Sequence, residues 1–334
     1  MTNSEKIRTG LIKGCMLLFL CCLLLFPAPA LTGAKNGLSL WFNQVLPSLL
    51  PFLILSTLLL STGVSDSLAT GLAPILSPVF RCSPSGCYAI VIGLLAGLPV
   101  GAKTIASLIE AGRITKKEGQ YLLPLCNNPS PLFLLGFISV SVLNRPDLRY
   151  PLFLIVTLSS VLAAMLLRPR DKAVSDHFPK FFPAPEKSSA FPASENRPNA
   201  SKATKTFTFS FLLLDSAIEQ AFSILTRVGG YIILFSVLAN LLATLPLPKT
   251  ALACVGSFLE ITTGTSALST LPLPNLLLIS LVTGFVTFGG LSTAAQTKSV
   301  LAGTKFPFAH YLLTKIFAGI IAGLSMAVLL LLKE

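Results

Sequence analysis

Long apolar segments separated by short polar ones run along most of the chain. No charged side chain occurs in 36–65, 82–102, 119–144, 150–167, 228–248 or 261–297. A transmembrane helix needs roughly 20 predominantly apolar residues, and its backbone polar groups must bond within the same helix. The pattern therefore predicts an all-α, multi-pass protein embedded in the lipid bilayer of the cell membrane.

The composition supports this prediction and excludes several functions. Of the 334 residues, 53% are hydrophobic and 11% are charged, whereas soluble domains carry about 25% charged residues. The net charge of +12 comes from basic residues scattered over loops and segment flanks, which is typical of membrane spans and not of a nucleic-acid surface. The seven cysteines form no CxxC pair and there are two histidines. We therefore expect no metal site, no cofactor and no nucleic-acid partner.

The first apolar segment has two interpretations. Three basic residues precede an apolar run at 15–26, and Ala28-Pro29-Ala30 follows. A secretory signal peptide shows the same order of features. Because a proline beside the cleavage position is unfavourable, we expect residues 1–35 to remain as a signal-anchor-like membrane helix, with cleavage as the alternative.

The rest of the chain divides into two similar parts joined by a linker. Residues 168–206 are rich in Pro, Ser, Ala and Lys and show no periodicity, which predicts a disordered linker. Its excess of Lys and Arg places it in the cytoplasm. We expect residues 36–167 to form a first repeat, and residues 207–334 to form a second repeat with a C-terminal helix.

Each repeat opens with an amphipathic helix that leads into a span. In the first repeat the span starts at Pro47, and a turn-rich stretch around Asp66 and Pro78 follows. In the second repeat a polar stripe at 215–227 precedes a span at 228–247.

Four apolar segments contain residues that a straight helix avoids. They are Gly97-Leu-Pro99-Val-Gly101-Ala-Lys103, Cys126-Asn127-Asn128-Pro129-Ser130-Pro131, Glu260-Ile-Thr262-Thr263-Gly264-Thr265 and Phe288-Gly289-Gly290-Leu291-Ser292-Thr293. Proline removes a backbone donor and glycine lets the chain reverse, so we expect broken helices there. Gly101 and Gly264 are 163 residues apart, and Asn127 and Gly289 are 162 apart. The nearly constant offset favours two copies of one unit.

Interrupted helices at membrane depth are typical of a solute site. Unwound backbone there survives only in protein or beside a water-filled cavity, and half-helix N-termini attract anions. Kinked helices with small residues for tight packing are the alternative. We expect no catalytic residues. The substrate-binding candidates are Gly97, Pro99, Gly101, Lys103, Asn127, Asn128, Ser130, Glu260, Thr262, Thr263, Gly264, Gly289, Gly290, Ser292 and Gln296.

Lys103 and Glu260 are the charged candidates. A charge in lipid is costly, so it faces a cavity or extends to the membrane surface. Both interpretations stay open for Lys103, whereas Glu260 lies deep in its apolar segment and is expected in a cavity or at a coupling-ion site. Lys298 and Lys315 are predicted to be flank charges.

The path of the first interrupted segment decides the topology. If 86–109 dips into the membrane and returns at Gly97–Gly101, the basic turn at 113–117 and the linker both lie inside. The two repeats are then inverted relative to each other, which is the arrangement we expect. If 86–109 crosses fully and the N-terminus is cytoplasmic, the basic turn and the linker both lie outside.

Five motifs in order resemble the sporulation integral membrane protein family (YlbJ type). They are Val45-Leu-Pro47-Ser-Leu-Leu-Pro51-Phe52, Gly97-Leu-Pro99-Val-Gly101-Ala-Lys103, Cys126-Asn127-Asn128-Pro-Ser130-Pro131-Leu-Phe133, Phe258-Leu-Glu260-Ile-Thr-Thr-Gly264 and Gly289-Gly290-Leu-Ser292-Thr-Ala-Ala-Gln296. The resemblance spans about 40–310. It implies two halves related to the nucleoside-recognition or gate domain, with re-entrant hairpins that bind solute. It also implies a role in endospore formation, in which dipicolinic acid crosses the outer forespore membrane.

The chain departs from the commoner family pattern at two positions. Leu98 stands where an aromatic residue is usual, and Phe288 stands where tryptophan is common. These departures leave the expected fold unchanged but weaken the transfer of a substrate from the family to this chain.

The sequence thus predicts a permease for a small organic anion, dipicolinic acid if the family's function transfers. A nucleoside or other small solute is the alternative ligand, and a non-transporting sporulation assembly factor is the alternative function. A homo-oligomer is left open. We expect no enzyme, because Glu260 is isolated from histidines and no HExxH or GxSxG motif occurs. No Walker motif occurs either, so transport is expected to be facilitated or driven by a gradient.

Overall fold

The computed structural model describes residues 3–61, 64–169, 211–301, 304 and 306–333, and within these ranges every regular element is a helix. The predicted all-α, multi-pass fold is confirmed. From residue 170 onward the predicted linker lies outside the described residues.

The described helices fall on both sides of the linker. Before it lie α1 (Asn3–Leu25), α2 (Pro27–Leu40), α3 (Leu46–Ser61), α4 (Val64–Phe80), α5 (Pro84–Ala96), α6 (Val100–Glu110), α7 (Lys116–Cys126) and α8 (Arg149–Leu166). A π-helical turn (Trp41–Val45) joins α2 to α3, a π-helical segment (Phe133–Val142) follows α7, and a 3-10 turn (Pro146–Leu148) precedes α8. After the linker lie α9 (Phe211–Leu242), α10 (Lys249–Leu259), α11 (Ile261–Ser269), α12 (Asn275–Phe288), α13 (Gly290–Val300) and α14 (Phe308–Leu331).

Several helical stretches are long and apolar enough to cross a membrane. Among the described residues there are four, Pro146–Leu166, Phe211–Leu242, Asn275–Val300 and Phe308–Leu331. Two bent pairs raise the number to as many as six: Thr9–Leu25 with Pro27–Val45 at 101°, and Gly71–Phe80 with Pro84–Ala96 at 97°. Each of the four single stretches is at least as long as the roughly 20 residues that a span requires.

The same two arrangements occur in the same order before and after the linker. First, two short helices fold back and pack side by side, α5 with α6 and α10 with α11. Then a helix is interrupted, between α7 and the π-helical segment and again between α12 and α13. The four predicted broken helices are therefore confirmed, and the first interrupted segment folds back as expected. The inverted orientation of the two repeats remains a prediction.

Glycines let these short helices approach to backbone contact. A Cβ atom on Gly264 of α11 would lie 2.1 Å from the backbone nitrogen of Ser257 in α10. One on Gly101 of α6 would lie 2.0 Å from the carbonyl oxygen of Cys126, the last residue of α7. Any larger side chain at either position would force the helices apart.

One predicted element differs from the structure. The stretch around Asp66 and Pro78 is not turn-rich, because α4 stays helical with Pro74 and Pro78 inside it. Neighbouring helices and nearby side chains can satisfy the backbone groups that a proline frees, so membrane helices tolerate it. The polar stripe and the span of the second repeat are one uninterrupted helix, α9, of 32 residues.

The C-terminal helix α14 packs deep inside the molecule, against α8 and α12. Small residues permit this close approach: a Cβ atom on Gly319 of α14 would lie 2.8 Å from the carbonyl oxygen of Gly284 in α12. As a result, Tyr311 and Lys315 on α14 are almost completely buried.

Candidate functional site

All four interruptions meet at one cavity. It has an empty volume of ≈ 490 Å³, part of which is open to solvent. The interruptions contribute Leu98, Pro129, Ser130, Phe133, Glu260, Ile261, Thr262, Thr293 and Gln296 to its walls. Apolar side chains complete the walls, namely Val45, Leu49, Val228 and Ile232. The cavity thus lies between the two repeats and is lined by both.

Within each repeat, the folded-back pair touches the interrupted helix. In the first repeat, the backbone N–H of Leu98 donates to the carbonyl oxygen of Asn128 at 2.9 Å. In the second repeat, a Cβ atom on Gly290 would lie 3.2 Å from the carbonyl oxygen of Leu259. Gly290 has a φ of +76°, a conformation that glycine adopts without steric cost. In both repeats, backbone of the folded-back pair therefore lies close to backbone of the interrupted helix.

Glu260 is the charged residue among those that line the cavity. Its side chain is 2% exposed and caps α11, where Oε2 accepts from the backbone N–H of Thr263 at 2.8 Å and from the Thr263 hydroxyl at 2.9 Å. The Thr262 hydroxyl also donates to Oε2. A negative charge at a helix N-terminus is favourable. The start of α11 is therefore already occupied by the chain's own carboxylate.

Among the residues that the structure describes, no nearby cation compensates the charge of Glu260. In the part of the chain that the structure describes, no Lys or Arg pairs with its carboxylate, and Oε1 makes no hydrogen bond. Because a buried carboxylate without a counter-charge is costly, the position is suited to binding a donor or a cation from the cavity.

Two other half-helices begin close to the cavity-lining residues Leu98 and Thr293 and have no side-chain cap. The residue before α6 is Pro99 and the residue before α13 is Gly289, and neither makes a capping hydrogen bond through its side chain. The N-terminal ends of α6 and α13 therefore carry a partial positive charge that no capping side chain neutralises.

The second interruption is fixed by buried amide side chains. Asn127 donates through Nδ2 to the hydroxyls of Thr297 and Tyr311, each at 2.8 Å. Asn128 accepts through Oδ1 from the Ser160 hydroxyl and from Nζ of Lys315, each at 2.8 Å. These bonds connect the interruption to α8, α13 and α14.

The prediction for Lys315 is wrong. This lysine is not a flank charge, because it is 1% exposed and faces the second interruption. The packing of α14 against α8 and α12 removes it from the membrane surface. Lys298, by contrast, is exposed, as the flank prediction requires.

The predicted candidates divide into three groups. Ser130, Glu260, Thr262 and Gln296 line the cavity. Gly97, Pro99, Gly101, Asn127, Asn128, Thr263, Gly264, Gly289, Gly290 and Ser292 form or flank the interruptions without lining it. Lys103 lies near the start of α6, is exposed and does not line the cavity.

Sequence reasoning missed several residues around the site. Leu98 and Thr293 line the cavity, and Ser160, Thr297, Tyr311 and Lys315 hold the second interruption. The spacing of Tyr311 and Lys315, four residues apart in an apolar helix, is a signal that could have identified one polar face of α14.

The comparisons with known proteins agree with this architecture. Residues 42–169 match the gate family, described as nucleoside recognition. The predicted resemblance is confirmed. The chain is 28% identical over 347 aligned residues to the sporulation integral membrane protein YlbJ of Bacillus subtilis (strain 168), covering 98% of this chain and 84% of that protein. No solved structure matches the chain.

Both similarities fit a multi-pass membrane protein that resembles a permease. The gate match covers the first repeat and stops at residue 169. The similarity of the second repeat to the first therefore rests on the order of its helices and interruptions.

Proposed function

We propose that the chain is a permease that carries a small polar solute through the cavity between its two repeats. The observation that supports this is the convergence of four interrupted helices on one partly open cavity. Interrupted helices satisfy their free backbone groups only in protein or beside water, and in transporters they surround the solute. The gate similarity of residues 42–169 supports the same function.

The lining of the cavity favours a neutral polar solute such as a nucleoside. Ser130, Thr262, Thr293 and Gln296 offer neutral hydrogen-bonding groups, and Glu260 can accept from a hydroxyl or amine of the solute. A free anion at 4 Å from the Glu260 carboxylate would be repelled by about 4 kcal/mol at an effective dielectric of 20. Lys103 lies outside the cavity and does not offset this repulsion.

A small organic anion such as dipicolinic acid is the second candidate. The uncapped N-terminal ends of α6 and α13 at the cavity favour it, because such ends bind carboxylates. This candidate requires that Glu260 carry a proton or a bound cation during transport.

Uptake by proteoliposomes distinguishes the two candidates. The purified full chain is reconstituted and tested with radiolabelled uridine and, separately, with radiolabelled dipicolinate. We expect uridine to enter, and Glu260→Gln to slow its uptake about tenfold, because the solute then donates to a neutral amide oxygen in place of a charged carboxylate. Glu110→Gln, which changes an exposed glutamate outside the cavity, should leave uptake unchanged.

The opposite pattern supports the second candidate. In that case dipicolinate enters, and Glu260→Gln leaves its uptake unchanged or makes it faster because the repulsion is removed. Uptake of neither solute contradicts both candidates.

We propose further that this transport serves endospore formation, at the outer forespore membrane. The similarity to the sporulation protein of Bacillus subtilis supports this role. Deletion of the gene in its own spore-forming host should lower the number of heat-resistant spores, and reintroduction of the wild-type gene should restore it. A lower dipicolinate content of each spore is expected only if the second candidate is the solute. A normal number of heat-resistant spores in the deletion strain would reject the role.

A further inference from the structure

Lys315 is a buried cation that the proposed solute path does not contact. It lies on α14, is 1% exposed, and donates from Nζ to Oδ1 of Asn128 at 2.8 Å. Within the described ranges no carboxylate pairs with it, and Asn128 is its hydrogen-bond acceptor. An ammonium buried without a counter-charge is costly, whereas an apolar side chain of similar volume would pack there without that cost. Hydrophobic packing therefore does not account for a lysine at this position.

The charge is placed where a half-helix ends. The helix α7 ends at Cys126, and its last carbonyl groups have no partner within the helix. Asn128 supplies one, because its Nδ2 donates to the carbonyl oxygen of Leu125 at 2.8 Å. A helix C-terminus carries a partial negative charge. Through Asn128, Lys315 brings a positive charge to this end.

Tyr311 acts on the neighbouring residue of the same interruption. It lies four residues before Lys315 and therefore on the same face of α14. Its hydroxyl accepts from Nδ2 of Asn127 at 2.8 Å. One face of α14 thus binds both consecutive asparagines, which are followed directly by Pro129 and Ser130 in the cavity wall.

We propose that Lys315 is a positioning residue of the cavity, which acts through Asn128 to hold the second interruption and Ser130 in place. This inference rests on the cavity being the solute path of the proposed function. Its test measures the cavity wall and not transport, so the failure of one proposal can be distinguished from the failure of the other.

Cysteine reporters on opposite walls of the cavity provide the test. Ser130→Cys reports the wall that Lys315 holds, and Val228→Cys reports the wall formed by α9. Each reporter is placed in the full chain, once with Lys315 and once with Lys315→Met, and the purified proteins are treated with a water-soluble methanethiosulfonate. The labelling rate of the native cysteines, measured in the chain without a reporter, is subtracted from each rate. We expect labelling at 130 to become about tenfold faster, since one hydrogen bond to a charged group is lost. Labelling at 228 should not change.

Two controls make the result specific to the buried charge. Lys298→Met removes an exposed lysine of α13 and should leave both reporters at their original rates. Lys315→Arg keeps the charge and should return labelling at 130 to a rate near that of wild type. Equal changes at both reporters would indicate general loosening, and an unchanged rate at 130 would indicate that Lys315 does not hold the wall. Either result overturns the proposal.

Lys315→Gln provides the test if Lys315→Met does not accumulate in the membrane. It keeps a hydrogen-bonding side chain at the position that faces Asn128 but removes the charge, and it should make labelling faster at 130 and not at 228. An unchanged rate at 130 in this variant overturns the proposal.

Discussion

Glu260 and Lys315 are two buried charges, and each lies at a helix end whose dipole has the opposite sign. Glu260 caps the N-terminal end of α11 with its carboxylate, and Lys315 acts through Asn128 on the C-terminal end of α7. Neither has an ion-pair partner within the described ranges. The partial charge of each helix end therefore stabilises the buried side-chain charge, as a side chain of opposite charge would do in an ion pair.

Substitutions of Glu260 should separate its charge from its capping role. Glu260→Gln keeps an oxygen that can accept from the backbone N–H of Thr263 and removes a buried charge that has no ion-pair partner within the described ranges, so we expect thermal stability in detergent to be equal to or above that of wild type. Glu260→Ala removes the cap and should lower the free energy of unfolding by about 1 kcal/mol. Equal destabilisation by the two variants would show that the charge itself stabilises the cap.

At the scale of residues, the sequence predicted where the helices are interrupted better than it predicted which distant side chains contact the interruptions. Gly97, Pro99 and Gly289 break helices for local reasons, because their backbones favour or require non-helical conformations. The burial of Lys315 is different, since it depends on three helices that are distant in sequence. A lysine near the start of an apolar helix usually extends to the membrane surface, and this local rule is what made the prediction wrong.

At the scale of elements, the folded-back pairs depend on close backbone contacts, which join α11 to α10 in the second repeat and α6 to the end of α7 in the first. Gly264→Ala would place a Cβ atom 2.1 Å from the backbone nitrogen of Ser257, so we expect a loss of about 1–3 kcal/mol in the free energy of unfolding. Gly101→Ala should act in the same direction, because its Cβ atom would lie 2.0 Å from the carbonyl oxygen of Cys126.

The matched control is Gly230→Ala in α9, where a Cβ atom would meet nothing within 4 Å. Alanine favours a helix over glycine by about 1 kcal/mol, so this variant should be as stable as wild type or more stable. The measurement is thermal unfolding of each purified variant in detergent. If Gly264→Ala unfolds at the temperature of Gly230→Ala, α10 and α11 do not pack as closely as the structure shows.

The helices themselves were predictable to different degrees. The long α14 and the paired short helices follow from apolar length and from Gly and Pro positions. The helix α4 does not, because Pro74 and Pro78 suggest turns, and only neighbouring helices in the fold make them tolerable. The meeting of four interruptions at one cavity could not be predicted either, since no local pattern specifies the packing of distant segments.

At the scale of the whole molecule, side-chain contacts place several basic residues at one end. Arg168, at the end of α8, donates to the carbonyl oxygen of Arg81 at 2.8 Å and lies 4.4 Å from the ring centroid of Tyr121. Because α5 and α6 fold back, the basic turn at 113–117 lies at this end as well. An excess of Lys and Arg is typical of the cytoplasmic side.

This placement predicts opposite entry sides for the two folded-back pairs. With the basic end in the cytoplasm, we expect the interrupted helix of the first repeat to cross outward from the turn at 113–117 to the loop at 143–148, and α8 to return to the cytoplasm. After the linker, we expect α9 to cross outward, so that α10 and α11 enter from the outside and return there. The first pair would then enter from the cytoplasm, and the two repeats would be inverted relative to each other.

Labelling of single cysteines on intact cells tests this inverted arrangement. We expect Lys117→Cys to be protected from a membrane-impermeant maleimide, because the turn at 113–117 is cytoplasmic. Asp147→Cys and Thr270→Cys lie at exposed positions on the outer side of the first and second repeats and should react with it. All three should react after the membrane is permeabilised, which controls for accessibility. Protection of position 270 together with 117 would show that both pairs enter from the same side, and reaction of 117 on intact cells would show that α5 and α6 do not return to the cytoplasm.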